Sequence, residues 1–203
     1  MRLLKLRNIL VATELDDAAL PAVVAASRLA AAAGGSLHAV SVVSSHDQRG
    51  DGPDTTEAKA ALAAILDRAG AQTDDTKIHV LEGDAAFAIG SLARRVHADV
   101  IVLGPHRERQ PGALGTTALA VVTNASSPCM VVSTPIRLPL RRVLVPIDLS
   151  DTARGALLVG LSWASALRLP WLPRPSSPGR SRAAAARAAR SLRPASLRPG
   201  RRR

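Results

Sequence analysis

Five short apolar runs recur along the first two thirds of the chain, and none of them alternates strictly with polar residues. They cover residues 8–13, 36–43, 77–81, 100–103 and 129–133. Strands that are apolar at nearly every position are typical of a parallel sheet whose two faces are both covered. The pattern therefore predicts five buried, parallel strands.

Segments with helical periodicity lie between these strands. Asp16 or Asp17 can cap a first helix that ends at about Ala33, before two glycines. Asp54 and Glu57 have the spacing of a capping box. The helix that follows them has an apolar stripe formed by Ala58, Leu62, Ile65 and Leu66.

A third helix is predicted to begin at Gly83-Asp84, and a fourth to cover residues 115–124. The third helix has a predicted apolar stripe of Phe87, Ile89, Leu92, Ala93 and Val96. Strands that alternate with helices predict an α/β fold: an open, Rossmann-like parallel sheet of five strands with helices on both faces.

The pattern then restarts. Arg142-Val-Leu-Val-Pro-Ile-Asp-Leu-Ser150 repeats the order of residue types at 8–16, with a period of about 135 residues, and a helix over 153–167 follows it. Such a period indicates domain duplication rather than a solenoid. We predict a complete domain over residues 1–136, the truncated start of a second copy (one strand and one helix) over 137–169, and a tail over 170–203.

The tail accounts for most of the charge. The chain has a net charge of +11, but residues 171–203 contribute ten arginines and no acid, so the rest is almost neutral. This Arg-, Pro- and Ala-rich composition predicts disorder. A shifted reading frame would also explain the abrupt loss of pattern after Leu169, and a basic tail could bind nucleic acid without specificity.

The cellular compartment of the protein is predicted from its apolar segments and from the charged residues that interrupt them. Acidic residues follow the short apolar run at the N-terminus, which argues against a secretory signal, and no stretch is long enough to span a membrane. The single cysteine, Cys129, fits a reducing compartment and a buried position at a strand edge. We expect a cytoplasmic protein.

The main candidate for chemistry is the region between the fourth strand and the fourth helix. The strand ends at Gly104, a loop rich in Gly, Pro and Arg follows, and Gly115-Thr116-Thr117 opens the helix. Unpaired backbone N–H groups and the helix dipole attract anions at such a position. The region predicts a phosphate-bearing ligand.

The order of these motifs resembles the universal stress protein family in its tandem-domain form, over residues 6–168. The resemblance is carried by the two strand-one segments, by Val80-Leu-Glu-Gly-Asp84, by Ala98-Asp-Val-Ile-Val-Leu-Gly104, by Gly115-Thr116-Thr117 and by Ser127-Pro-Cys-Met-Val-Val132. It implies the strand order 3-2-1-4-5, a homodimer formed through the strand at 129–133, and ATP or a related adenine nucleotide bound without fast turnover.

The resemblance also implies a nucleotide site at the ends of strands one and four. Its candidate residues are Ala12, Thr13, Glu14, Val42, Leu103, Gly104, Arg107, Gly112, Gly115, Thr116 and Thr117. The family loop has the pattern G-x2-G-x9-G-[ST]. Here Arg107 stands at the second glycine, seven residues rather than nine separate it from Gly115, and Glu14 replaces an aspartate.

Each candidate keeps a structural alternative. Gly104 and Gly115 could be turn and cap glycines, Glu14 a solvated acid, and Arg107 and Arg109 loop residues that either pair with phosphate or face water. His106 has no catalytic partner, the five histidines lack metal-ligand spacing, and neither a Walker A motif nor a nucleophile elbow occurs. We therefore expect no enzyme activity and no metal site. A nucleotide-free interaction module of the same fold is the alternative function.

Overall fold

The fold is known from a computed structural model, which describes residues 6–43, 54–71, 74–104, 115–134, 136–137, 140–148, 150–167 and 169. Its strands are β1 (Asn8–Ala12), β2 (Ser36–Val43), β3 (Thr76–Glu82), β4 (Val100–Leu103) and β5 (Cys129–Val131). Its helices are α1 (Leu20–Ala33), α2 (Thr55–Arg68), α3 (Ala85–Arg95), α4 (Thr116–Asn124) and α5 (Asp151–Ala166), with a 3-10 turn at Asp17–Ala19 before α1.

The five strands form one parallel sheet in the order β3-β2-β1-β4-β5, as predicted. The register aligns Ala12 of β1 with Val40 of β2 and with Leu103 of β4. Because β1 has a neighbour on each side, it lies at the centre of the sheet. Residues 9–12 of β1 are all buried.

Each face of the sheet is covered by its own apolar cluster. α1 and α2 bury one face with alanine, valine and leucine side chains against Ile9, Val11 and Val102. α3 and α4 bury the other face, where Ile89, Leu92 and Val121 contact Leu10 and Ile101. The period-two alternation of β1 between the two clusters explains why its sequence is apolar at every position.

The chain approaches itself closely where α1 leads into β2. Gly34 ends α1 in the left-handed conformation (φ 63°) and its N–H donates to the carbonyl of Ala30. At Gly35, a Cβ would lie 2.6 Å from the carbonyl oxygens of Leu6 and Arg7, so only glycine fits. The two glycines predicted to end the first helix are therefore needed for two different reasons.

Most predicted elements are confirmed, with small differences at their ends. The α2 stripe is buried as predicted, and Asp54 accepts hydrogen bonds from the N–H groups of Thr56 and Glu57. Gly115 is the N-cap of α4 rather than its first residue. The last strand ends at Val131, two residues earlier than predicted, although the N–H of Val132 still donates to the carbonyl of Leu103 and its side chain lies in the core.

Phe87 corrects the predicted stripe of α3. Its side chain is 73% exposed, whereas Ala88, Ile89 and Leu92 are buried. Phe87 follows Asp84, the N-cap, at the third helical position, where a rotation of about 100° per residue places it about 160° from Ile89 and about 140° from Leu92. Phe87 therefore lies on the opposite side of the helix from the buried row, and the prediction was wrong to include it.

The second prediction that needs correction is the strand over 142–147. Residues 140–148 form no strand within the described part of the chain. Within the described residues this segment pairs with no strand, whereas β1, which it resembles in sequence, has β2 and β4 as ladder partners. The predicted helix does form, as α5, with Ser150 as its N-cap and its hydroxyl accepting from the N–H of Ala153.

α5 packs against the core of the protein. Trp163, Ala166 and Leu167 pack against the cluster on the α1–α2 face, together with Ile136. Arg28 of α1 also donates a hydrogen bond to the carbonyl of Ile136. The described residues up to Leu169 belong to one compact unit, so the start of the repeat extends the core of the first domain. The prediction for the tail at 170–203 lies outside the described residues.

Replacing Trp163 tests this packing. Trp163→Ala should lower the free energy of unfolding by about 2 kcal/mol because it removes a large, partly buried side chain. Trp163→Phe should cost less, since the indole Nε1 is buried without a hydrogen-bond partner in the described residues and its loss is not penalised. Urea unfolding of both variants measures the difference, and equal losses would contradict the packing.

Candidate functional site

The candidate site lies at the carboxyl ends of β1 and β4. The strand order reverses direction between these two strands, since β2 and β3 lie on one side of β1 while β4 and β5 lie on the other. Ligands of open α/β sheets bind in the crevice outside this switch point. Ala12 and Leu103 are paired there, and Val42 of β2 packs against the same apolar cluster.

The turn after β1 is held in one conformation by its own polar groups. The N–H of Thr13 donates to the carbonyl of Val40 at 3.0 Å, and the Thr13 hydroxyl accepts from the N–H of Leu15 at 3.1 Å. Leu15 has a φ of 62°, in the left-handed region that a leucine rarely adopts. This strained conformation changes the direction of the chain. It places Asp16 so that its carboxylate caps the 3-10 turn by accepting from the N–H of Ala19.

Gly104 lies beneath this 3-10 turn. A Cβ at Gly104 would lie 3.7 Å from Cα of Ala19 and 3.9 Å from the carbonyl oxygen of Ala18, which are ordinary contacts. The end of β4 therefore lies near the turn after β1, with room for a Cβ at residue 104. Ala18 and Ala19 were not among the predicted site residues, and their only sequence signal is their small size.

α4 begins beside this crevice, and its N-terminus has no side-chain cap. Gly115 is the buried N-cap and supplies no acceptor, whereas Asp54, Asp84 and Ser150 cap α2, α3 and α5 with side-chain oxygens. Ala118 packs against the cluster that contains Ala12 and Leu103. The N–H groups of the first turn, at Thr116 and Thr117, are therefore available to an anion near the switch point.

Two acidic residues near the site, Glu14 and Asp17, differ in their surroundings. Glu14, directly after Thr13, is exposed, and Asp17 in the 3-10 turn forms an exposed ion pair with Arg68 at 2.8 Å. Two predicted residues, Arg107 and Gly112, lie outside the described residues. Among those that are described, no group of three or more His, Cys, Asp or Glu side chains could hold a metal ion.

The sequence analysis missed a histidine pair between β2 and the edge strand β3. His38 of β2 and His79 of β3 approach each other, with Nδ1 of His38 3.1 Å from Nε2 of His79. The ring planes are within 10° of each other and the centroids are 5.4 Å apart. The centroid separation exceeds the nitrogen separation by about two ring radii, so the rings meet end to end through one N–H···N hydrogen bond.

This arrangement favours neutral imidazoles. Burial, followed by the charges of His79 and Lys77, lowers the pKa of His38 to about 4. Burial also lowers the pKa of His79, with Arg95 and Lys77 as further causes. Two protonated rings would each present a donor to the other and break the bond. The sequence showed that both histidines occur in predicted strands. Only the register between β2 and β3 shows that they are neighbours.

Cys129 at the edge of the sheet is half-buried, and its Sγ donates a weak hydrogen bond to the carbonyl of Ser127 at 3.6 Å. Burial raises the pKa of the thiol, so the thiolate is disfavoured. No helix within the described residues is long and apolar enough to cross a membrane.

The fold is that of an open α/β protein with a candidate ligand site at the switch point of a five-stranded parallel sheet. Comparison with known families identifies it further. The family model described as "Universal stress protein family" matches residues 5–133, which is more than half of the chain. The chain belongs to the universal stress protein family.

Solved structures of the family have the same fold. The universal stress protein from Archaeoglobus fulgidus is 25% identical, with a TM-score of 0.52, and the match covers 62% of this chain and 98% of that one. A universal stress protein from Archaeoglobus fulgidus in complex with dAMP is 23% identical, with a TM-score of 0.50 and coverage of 62% and 97%. The second likeness shows the fold alone.

The histidine pair predicts a loss of stability in acid. The unfolded chain binds a proton at His38 near pH 6.5, whereas the folded protein resists protonation until about pH 4. The free energy of unfolding should therefore fall as pH is lowered through this window, by about 2 kcal/mol from this group. His38→Asn, which cannot titrate, should flatten the slope in this window. Urea unfolding at several pH values measures both slopes, and identical slopes would contradict the interpretation.

Proposed function

We propose that this universal stress protein binds an adenine nucleotide at the switch point and does not turn it over rapidly. The observation that supports the proposal best is the N-terminus of α4, where Gly115 provides no side-chain cap beside the ends of β1 and β4. Phosphates would take the place of the missing cap and accept from the N–H groups of Thr116 and Thr117. We expect no fast turnover because the sequence contains neither a Walker A motif nor a nucleophile elbow.

The nucleoside would occupy the crevice between the turn after β1 and the end of β2. Ala12, Thr13 and Val42 offer a mostly apolar floor there, with Glu14 exposed at its rim. Gly104 leaves room between β4 and the 3-10 turn. A universal stress protein of the same fold forms a complex with dAMP, which supports this class of ligand. ATP is the form that the resemblance implies, with Arg107 and Gly112 in its loop.

Substitutions on α4 test the phosphate contact. Gly115→Val should abolish binding of ATP or AMP because its side chain blocks the approach to the first turn. Thr116→Ala keeps the backbone N–H but removes the hydroxyl, which can donate to a phosphate oxygen, so it should weaken binding by about 1 kcal/mol, or about fivefold, the scale of one hydrogen bond. Titration calorimetry with Mg²⁺ present measures both effects.

Thr123→Ala is the matched control, since Thr123 lies on the same helix and bonds to the carbonyl of Leu119 far from the N-terminus. It should leave the affinity unchanged. Mass analysis of small molecules released on denaturation identifies the ligand that the protein carries. Wild-type protein that shows no heat with millimolar nucleotide and releases none would refute nucleotide binding.

A nucleotide-free dimeric interaction module is the second candidate, and the open edge of β5 supports it. Val131 is 41% exposed on this edge strand. The N–H of Val132 donates to Leu103 of β4, so the alternation of the strand directs the N–H of Val131 away from β4, towards the free edge. We propose a homodimer in which Met130 and Val131 of two copies pair about a two-fold axis, with Val132 supporting the edge from the core.

Val131→Pro removes this outward donor without breaking the ladder between β4 and β5. The variant should halve the mass of the assembly in light scattering. Val131→Ala keeps the donor and should leave the mass unchanged. A wild-type chain that remains monomeric at high micromolar concentration would refute the pairing.

A further inference from the structure

Residues 141–148 lead into α5 and form neither helix, strand nor turn, and this segment has the apolar side chains of a strand without a partner. In the described part of the chain, the backbone N–H and C=O groups of residues 141–147 bond to no other residue. Unpaired groups along an extended backbone are a template for strand addition.

The side chains of the segment are apolar and exposed. Leu144 is 92% exposed, Ile147 52% and Val143 39%. Exposure of neighbouring large apolar side chains on a short segment marks an interaction surface. The repeat analysis explains their type, because the segment corresponds to β1, whose side chains are buried on both faces.

The segment is held against the body of the protein at one point. Val145 packs on Gly160 of α5, where a Cβ would overlap with the Val145 side chain. α5 is in turn anchored to the core through Trp163 and Leu167. The segment is therefore presented on a fixed support, and its backbone edge lies free.

We propose that this segment pairs with the same segment of a second copy of the chain, antiparallel about a two-fold axis through Val145. This pairing places Val143 opposite Ile147 of the partner subunit and Arg142 opposite Asp148 of the partner subunit. The apolar pair and the oppositely charged pair each occur twice, and both kinds of cross-strand pair stabilise a sheet. The proposal goes beyond the nucleotide site and the β5 edge.

The charges at the two ends favour this direction of pairing. Arg141 and Arg142 begin the segment and Asp148 ends it, so a parallel arrangement would align like charges. Hydrogen bonds from the Ser150 side chain and from the Ser150 N–H, the latter at 2.9 Å, lower the pKa of the Asp148 carboxyl.

Pro146 fits the same register. In an antiparallel ladder, alternate residues direct their N–H groups to the partner. With Val145 paired to itself, Val143, Val145 and Ile147 make the hydrogen bonds. The backbone of Pro146 then faces away from the partner, where the missing N–H costs no bond.

Charge reversal on the full-length chain tests the pairing. Arg142→Asp places two like-charged pairs in the interface and should weaken self-association by about tenfold. Asp148→Arg should have a similar effect. The double variant Arg142→Asp/Asp148→Arg restores opposite charges and should return the dissociation constant to within about threefold of wild type. Sedimentation equilibrium measures the constants, and circular dichroism confirms that each variant is folded.

The same measurement in the Val131→Pro background separates this interface from β5. If both interfaces form, wild type assembles beyond a dimer, and each variant alone leaves a dimer. If Val131→Pro alone yields monomer and Arg142→Asp has no effect, β5 is the only interface and the present proposal is overturned. If either change alone yields monomer and the double charge reversal does not restore the dimer, the segment pairs with β5, and self-pairing is also overturned.

A disulfide provides an independent test. In a Cys129→Ser background, Val145→Cys should form a covalent dimer with oxidised glutathione, because the two central Cα atoms of the ladder would be about 5.5 Å apart. Leu144→Cys is the matched control, since residue 144 lies opposite residue 146 of the second copy. Faster cross-linking at 144 than at 145 would contradict the register.

Discussion

Pairing of β1 with both β2 and β4 is the constraint on which the rest of the structure depends. It places β1 at the centre of the sheet, where residues 9–12 are buried, and it requires helices on both faces. The same pairing reverses the strand order and opens the crevice at Ala12 and Leu103. The arrangement that buries the core therefore also defines the switch point where the candidate site lies, and α4, which packs on the same cluster, begins without a side-chain cap.

The segment at 142–150 shows how the formation of a strand depends on neighbouring strands. The segments at 8–16 and 142–150 have matching residue types, yet the first forms a central strand and the second forms none in the described residues. The difference is that β1 has β2 and β4 beside it. The helix of the repeat needs no ladder partner, so α5 forms and buries Trp163 against the existing core. Residues 142–147 have the apolar side chains of a strand, but most of these side chains are exposed.

Polar groups in this protein mostly fix turns and helix ends, and the histidine pair is an exception. Asp16, Asp54 and Asp84 each satisfy N–H groups at a helix start. His38 and His79 instead satisfy each other inside the sheet, at the cost of being held neutral. Burial of two ionisable rings makes the sheet sensitive to acid, whereas an apolar pair at these positions would not titrate.

The sequence by itself determined the strands, the helix caps and the buried stripe of α2, because periodicity and capping are local properties of the chain. It also located the ends of β1 and β4 and the start of α4. Only the tertiary structure decided that Phe87 is exposed, that residues 142–147 form no strand, and that His38 meets His79. These depend on which elements become neighbours, and register and packing across distant segments are not encoded in local spacing.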